Sequence, residues 1–293
     1  MDMRQTITDQ IIHIIEQGLA KGETMWDTTV KFGLPTNYQT KRPYNGINIL
    51  VLTNEAVKRG YSRNEWLTFK QAQALGAKVN KGAKGVMGVF FKMMDRKEPK
   101  TEDDKIPMMS PFWVFNVDEI TDLPEVSEVQ RFEFDPIDEA ERILGASGAS
   151  ITWLGVRAFY RPSTDEIYMP DRDRFSSAAN AYAVALHELT HWTGHESRMN
   201  RDYGKMTKID RYAFEELVAE LGAAYLVAHL GIKGSKLENH ADYLQHYLTI
   251  LKEDKGAIFT AARMASQAFD FILKLATAPV NESSIREADK LVA

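Results

Sequence analysis

The stretch His187-Glu188-Leu189-Thr190-His191 constrains the surrounding fold more than any other segment. It ends an apolar run, Ala181-Tyr182-Ala183-Val184-Ala185-Leu186. On a helix of about 3.6 residues per turn, positions i and i+4 sit one above the other. Both imidazoles then point the same way and can hold one metal ion. Glu188 follows the first His, where it can reach a metal-bound water. This is the spacing of a zinc hydrolase with the Glu as general base.

Two His and a Glu do not complete such a site, because catalytic zinc usually keeps three protein ligands plus water. The chain has no Cys, so any metal must sit on His and carboxylate ligands, and disulfides are excluded. One peptidase class continues H-E-x-x-H-x-x-G-x-x-H. Gly194 fits its Gly, but Ser197 stands where its third His would be. The alternative is a Glu from a following helix. Residues 212–224 supply Glu216 and Glu220 at i, i+4, beside Leu217, Val218 and Ala223. Two carboxylates there are costly to bury unless a cation faces them. The pair resembles the E-x-x-x-D/E arrangement of Glu-type zincins. That resemblance makes Glu216 the third ligand and Glu220 the acid that hydrogen-bonds a ligand imidazole. Gly222, Ala223 and Ala224 let this helix approach the first closely. Glu215 reads as a solvated face residue. His195, Tyr212, His240 and His246 are the candidate transition-state donors, and His195 alternatively caps the helix C-terminus. The hairpin expected before the His helix offers an edge to an extended peptide.

The 293 residues suffice for one large or two ordinary domains. Net charge is −5, but it is unevenly spread. Residues 31–97 hold thirteen Lys/Arg against three acids, a local charge of +10, which leaves −15 on the remainder. That split suggests a polyanion-binding half joined to an acidic half. The same window carries Tyr38, Tyr44, Tyr61, Trp66, Phe69, Phe90 and Phe91. Cations that neutralise phosphates and aromatics that stack on bases together make a single-strand surface. Arg42, Tyr44, Asn45, Lys70, Lys78, Lys81 and Lys84 are the expected contact set. Against this, Trp66, Phe69, Phe90, Trp113 and Phe115 fall at helix and strand spacing and also read as core.

The pattern along the chain predicts an α+β fold in two units. The first, residues 1–122, has helices over 5–20, 47–60 and 68–76. Strands follow over 86–93 and 112–117, on either side of a mobile loop at 95–107. A linker covers 123–135. The second unit, 136–293, is mostly helical. It opens with a helix near Ile137 and a hairpin over 156–170, and the His helix then runs from Ser176 or Ser177 to near Gly194. Three more helices are expected over 209–230, 236–252 and 256–277. No run approaches the roughly 18 apolar residues of a membrane span, and the N-terminus lacks a secretion-signal pattern, so a cytoplasmic location is expected.

Several motifs are similar to one known family. Arg42-Pro43-Tyr44-Asn45-Gly46-Ile47-Asn48, Trp66-Leu67-Thr68-Phe69-Lys70-Gln71-Ala72 and Lys81-Gly82-Ala83-Lys84-Gly85 resemble the N-terminal domain of ArdC antirestriction proteins. The His motif with Trp192-Thr193-Gly194-His195, Arg198, Asn200 and Arg201, then residues 215–220, resemble their C-terminal zincin-like domain. The chain is also similar to the N-terminal region of plasmid TraC-type primases. The resemblance implies a single-stranded-DNA-binding domain followed by a zincin-like metallopeptidase domain with a small sheet. It implies protection of incoming plasmid DNA from restriction during transfer. Zn²⁺ is the expected metal, with Mn²⁺ as the alternative. Single-stranded DNA is the expected partner, together with a protein substrate or restriction enzyme, and no membrane. A non-catalytic binding factor whose metal serves structure alone remains the alternative reading.

Overall fold

A computed structural model describes residues 3–21, 32–95, 105–124, 136–154, 156–204, 206, 208–232 and 241–277. The N-terminal half holds α1 (Met3–Lys21), β1 (Thr36–Asn37), α2 (Ile47–Lys58), β2 (Glu65–Leu67) and α3 (Phe69–Ala74). It continues with β3 (Lys78–Val79), β4 (Val86–Asp95), β5 (Lys105–Asn116) and β6 (Ile120–Thr121). A four-stranded sheet runs β1-β2-β5-β4, and β3 pairs with β6. The Thr68 start of α3 is a full capping box. Its hydroxyl accepts from the Gln71 N–H at 3.2 Å, and the Gln71 side chain accepts from the Thr68 N–H at 3.0 Å.

The loop expected at 95–107 is shorter than predicted, because β4 and β5 extend to Asp95 and from Lys105; residues 96–104 lie outside the described residues. Pro107, in the expected loop, and Pro111 both lie within β5. They stand opposite Met93 and Val89, and a residue without an N–H can occupy only the non-hydrogen-bonded pairs of an antiparallel ladder. In such a pair the backbone polar groups of Val89 point away from β5, to the open edge of the sheet. Asn48 of α2 meets them there. Its amide nitrogen donates to the Val89 carbonyl at 2.9 Å, and its amide oxygen accepts from the Val89 N–H at 2.8 Å. One buried side chain thus completes the sheet edge and fixes α2 against β4.

The C-terminal half opens with α4 (Pro136–Ala146), β7 (Ser150–Trp153), β8 (Phe159–Arg161) and β9 (Glu166–Met169). The helices α5 (Ala178–Thr193), α6 (Lys208–Leu230), α7 (Ala241–Glu253) and α8 (Ala257–Thr277) follow. The expected hairpin is β8–β9, antiparallel with Tyr160 opposite Ile167. The sequence reading did not include β7, which pairs with β9 in parallel and makes β9 the central strand. The linker expected at 123–135 lies almost wholly outside the described residues.

The two halves share one apolar core. Ile7, Ile11 and Ile15 of α1 belong to the same buried cluster as Tyr247 and Leu251 of α7, and Leu50 and Leu52 of α2 to the same cluster as α8. Polar ties cross with it. Thr8 Oγ1 donates to the Lys255 carbonyl and the Gly46 N–H to Ser266 Oγ, both at 2.8 Å. No helix among the described residues is long and apolar enough to cross a membrane.

Candidate metal centre

Helix α5 begins at Ser177, whose hydroxyl accepts from the Asn180 N–H at 3.1 Å. Most of its side chains are buried, consistent with its run of Ala, Val and Leu. Helix α6 packs directly on it. A Cβ built on Gly222 would lie 2.5 Å from Thr190 Cγ2, so glycine is what permits this approach. The contact brings α6 carboxylates to the His pair.

Three donor groups converge. His187 Nε2 and His191 Nε2 stand 3.1 Å apart. Glu216 Oε2 lies 3.4 Å from the first, and its Oε1 lies 3.6 Å from the second. Bonds of about 2.1 Å in a tetrahedral site set neighbouring donors about 3.4 Å apart. The side chains therefore already stand at the separations that one small divalent ion imposes. Two imidazole nitrogens facing each other beside a buried carboxylate also form a set that a cation satisfies. Burial alone disfavours charge on His191. Hydrogen bonds and Coulomb attraction from Glu215 and Glu216 outweigh it and push the imidazole up to about 10. Burial likewise raises Glu216, but its contacts with His187 and His191 hold it far below the usual carboxylate range. Glu188 is 7 % exposed and follows His187 on the helix.

A carboxylate expected on a solvated face, Glu215, is instead buried against His191. His191 Nδ1 lies 3.0 Å from Glu215 Oε1, which leaves Nε2 turned to His187 and Glu216. Arg201 grips the same carboxylate with Nε and Nη2 and is itself almost fully buried. Its remaining donors reach Thr193 Oγ1 at 2.6 Å and the Thr190 carbonyl at 2.8 Å. The Tyr203 hydroxyl donates to Glu215 Oε2. Burial and the adjacent carboxylate push that phenol well above its usual range. Burial would raise Glu215 too, but His191 and Arg201 hold it low. Glu220, 3 % exposed, lies one turn beyond Glu216.

The segment after α5 ties this centre to the hairpin. Arg198 stacks on Trp192 at 3.8 Å and pairs with Asp165 in the β8–β9 turn. Asp165 in turn accepts from the Tyr160 hydroxyl at 2.8 Å. His195 Nδ1 contacts Ser197 Oγ at 2.8 Å, and Tyr212 is 55 % exposed; neither belongs to the converging donor set.

In the basic half, Arg42, Asn45, Lys70, Lys81 and Lys84 are exposed. Lys78 is paired with Asp122 at 3.2 Å. Tyr44 is half-buried, its ring stacked on Phe112 with centroids 6.2 Å apart, and its hydroxyl accepts from Asn37 Nδ2. Of the aromatics that also read as core, Trp66 is fully buried, but Phe69, Phe90 and Trp113 are more than half exposed.

Fold and site together define a zincin-like metal-site protein behind a small α+β domain. A zincin-like metallopeptidase family matches residues 138–264, and the N-terminal domain of the anti-restriction factor ArdC matches residues 1–115. The crystal structure of the antirestriction protein ArdC from plasmid R388, metal-free, is similar over 94 % of this chain and 98 % of that one. The identity is 37 % and the TM-score 0.79. Its Mn(II)-bound form gives 0.78 at the same identity. The y4eC protein of Sinorhizobium fredii is 35 % identical over 92 % of this chain and 91 % of its own. Two TraC DNA primases of Escherichia coli are 34 % and 35 % identical over 97 % and 95 % of this chain. This chain spans only 28 % and 20 % of their lengths. The chain belongs to the ArdC antirestriction family.

Proposed function

We propose that this protein binds single-stranded DNA through its N-terminal half and uses a divalent metal in its C-terminal half for peptide hydrolysis. In this reading it protects incoming plasmid DNA from restriction, in the cytoplasm. The DNA-binding part corresponds to residues 1–122, the linker to 123–135 and the metal-site part to 136–293. The observation that carries the reading is the convergence of His187, His191 and Glu216: the two Nε2 atoms stand 3.1 Å apart, with Glu216 Oε2 3.4 Å from the first and Oε1 3.6 Å from the second.

His187, His191 and Glu216 would hold the ion, with Zn²⁺ the expected occupant and Mn²⁺ the alternative seen in the R388 relative. When bound, such an ion supplies Lewis-acid activation of water and substrate carbonyl. Glu188 takes the proton of the attacking water and gives it to the leaving amine. Glu215 and Glu220 support the ligands, Glu215 by fixing the tautomer of His191. His195 and Tyr212 remain the residues to test as donors to the developing oxyanion.

A second reading, in which the metal is structural and the protein only occludes DNA or a restriction enzyme, is favoured by the burial of Glu188 and His187. One experiment separates them. Glu188→Gln should retain metal and thermal stability yet lose proteolysis and antirestriction together. Full antirestriction by Glu188→Gln would select the structural reading, and a metal-free wild type would sink both. His191→Ala serves as the metal-loss control.

A further inference from the structure

The hairpin β4–β5 carries large side chains on both faces, and the two are treated differently. Val86 and Val114, paired across the strands, face the shared core and are buried. The opposite face carries Gly85, Met87, Val89, Trp113 and Phe115; Val89 is buried and Met87 packs against the core, and at the inner end α3 covers Phe115. There Phe69 meets Phe115 edge-on at 6.5 Å. Trp113 stays 52 % exposed and Phe69 57 % exposed. Phe115 joins them. A Cβ on Gly85 would lie 3.2 Å from Phe115 and 3.4 Å from Trp113, so both rings lean over the same glycine. Trp113, Phe115 and Phe69 therefore form one row of rings, open to solvent at both ends. Large rings left this exposed side by side mark a contact surface.

Charge selects the occupant. Lys84 precedes Gly85, Lys81 starts the same turn, and Lys70 follows Phe69. All three are exposed, and none makes an ion pair among the described residues. The turn is held in place, because Arg59 at the end of α2 donates to the Lys84 carbonyl at 2.6 Å. Beyond Trp113 the row opens into a cleft of about 750 Å³ that Met87, Pro111, Lys58 and Arg59 help to wall. Rings for stacking flanked by unneutralised cations fit a chain of bases joined by phosphates, with the bases unpaired so that their faces are free.

We infer that Trp113, Phe115 and Phe69, with Gly85 beneath them, are a base-stacking platform for single-stranded nucleic acid, along which Lys70, Lys81 and Lys84 follow the phosphates. This rests on the single-stranded-DNA reading above and gives it a place. It also moves the contact away from Tyr44, whose ring is already stacked on Phe112.

The test titrates a fluorescently labelled 20-nucleotide oligo(dT) with the full-length protein at two salt concentrations. Trp113→Ala and Phe69→Ala should each weaken binding roughly 10- to 100-fold at both concentrations, as loss of one stacked base requires. Trp113→Phe should recover most of that loss. The Lys70→Ala/Lys84→Ala variant should reduce the slope of log K against log salt by about 1.4, at about 0.7 per phosphate contact. Lys274→Glu, on α8 in the other half, should bind as wild type. Binding by folded Trp113→Ala and Phe69→Ala within twofold of wild type would overturn the platform while leaving DNA binding intact. No binding by wild type would overturn the single-stranded-DNA reading itself, and the platform with it.

Discussion

Arg201 is the residue whose removal should be felt furthest from its own position. Its guanidinium is almost fully buried and makes two bonds to Glu215, one to Thr193 Oγ1 and two to the carbonyls of Thr190 and His191. Arg201→Met leaves the Glu215 carboxylate buried with only Tyr203 and His191 beside it. Removing one partner of a buried ion pair costs about 3–5 kcal/mol. At ~2–4 °C per kcal/mol, metal-free protein should melt roughly 10 °C lower. Metal affinity should fall about 10- to 100-fold, because a mispositioned Glu215 no longer orients His191. The pH dependence has a definite sign. Glu215 is held below its ordinary range, so its contribution is present above an unfolded value of about 4.3 and is lost as pH falls through its folded value. The stability gap between wild type and Arg201→Met should therefore narrow below about pH 4. Replacing both partners, as Arg201→Met/Glu215→Leu, should recover much of the stability but none of the metal affinity. Calorimetry in chelator and a competitive metal titration measure the two quantities. If Arg201→Met melts within about 1 kcal/mol of wild type, or keeps its metal affinity within twofold, the network does not hold His191.

Two further perturbations test the packing that brings the site together. Gly222→Ala in an ordinary helix interior would stabilise by up to about 1 kcal/mol. Here the added methyl meets Thr190 at 2.5 Å, so a net loss of ~1–3 kcal/mol and weaker metal binding are expected in thermal melts and titrations. Asn48→Ala removes both bonds to Val89 and leaves two buried backbone groups unmet, at a cost of about 2–4 kcal/mol in urea unfolding. Because α2 shares its core with α7 and α8, that loss should appear in one transition that includes the C-terminal helices. A separate, unaffected C-terminal transition would contradict the shared core.

Much of the fold was legible because its signals are local. The i, i+4 His pair, the Thr68–Gln71 capping box, the turn between β8 and β9 and the C-terminal helices each depend on residues a few positions apart. Two strand features were not. Pro107 falls in the expected loop, yet the register puts it where no ladder hydrogen bond is lost. Strand β7 is only four residues long and pairs in parallel with β9 across the intervening β8, a contact that no short-range pattern announces.

The metal centre divides the same way. His187 and His191 were readable from period and Glu216 from its resemblance to the Glu-type zincin pattern, whereas Glu215 was not. On α6 it falls beside the Glu216 face, and with Arg211 one turn before it the charge reads as half of a solvated surface pair. Its partners come from Arg201 and Tyr203, in a segment with no helical or strand period. What brings Arg201 there is Gly194, since a Cβ at that position would lie 2.5 Å from the guanidinium. A glycine that reads as a helix end is therefore also the space that a buried cation occupies. Arg211, the arginine nearest Glu215 in sequence, donates instead to the Met206 and Gly204 carbonyls, and the buried carboxylate takes its cation from Arg201.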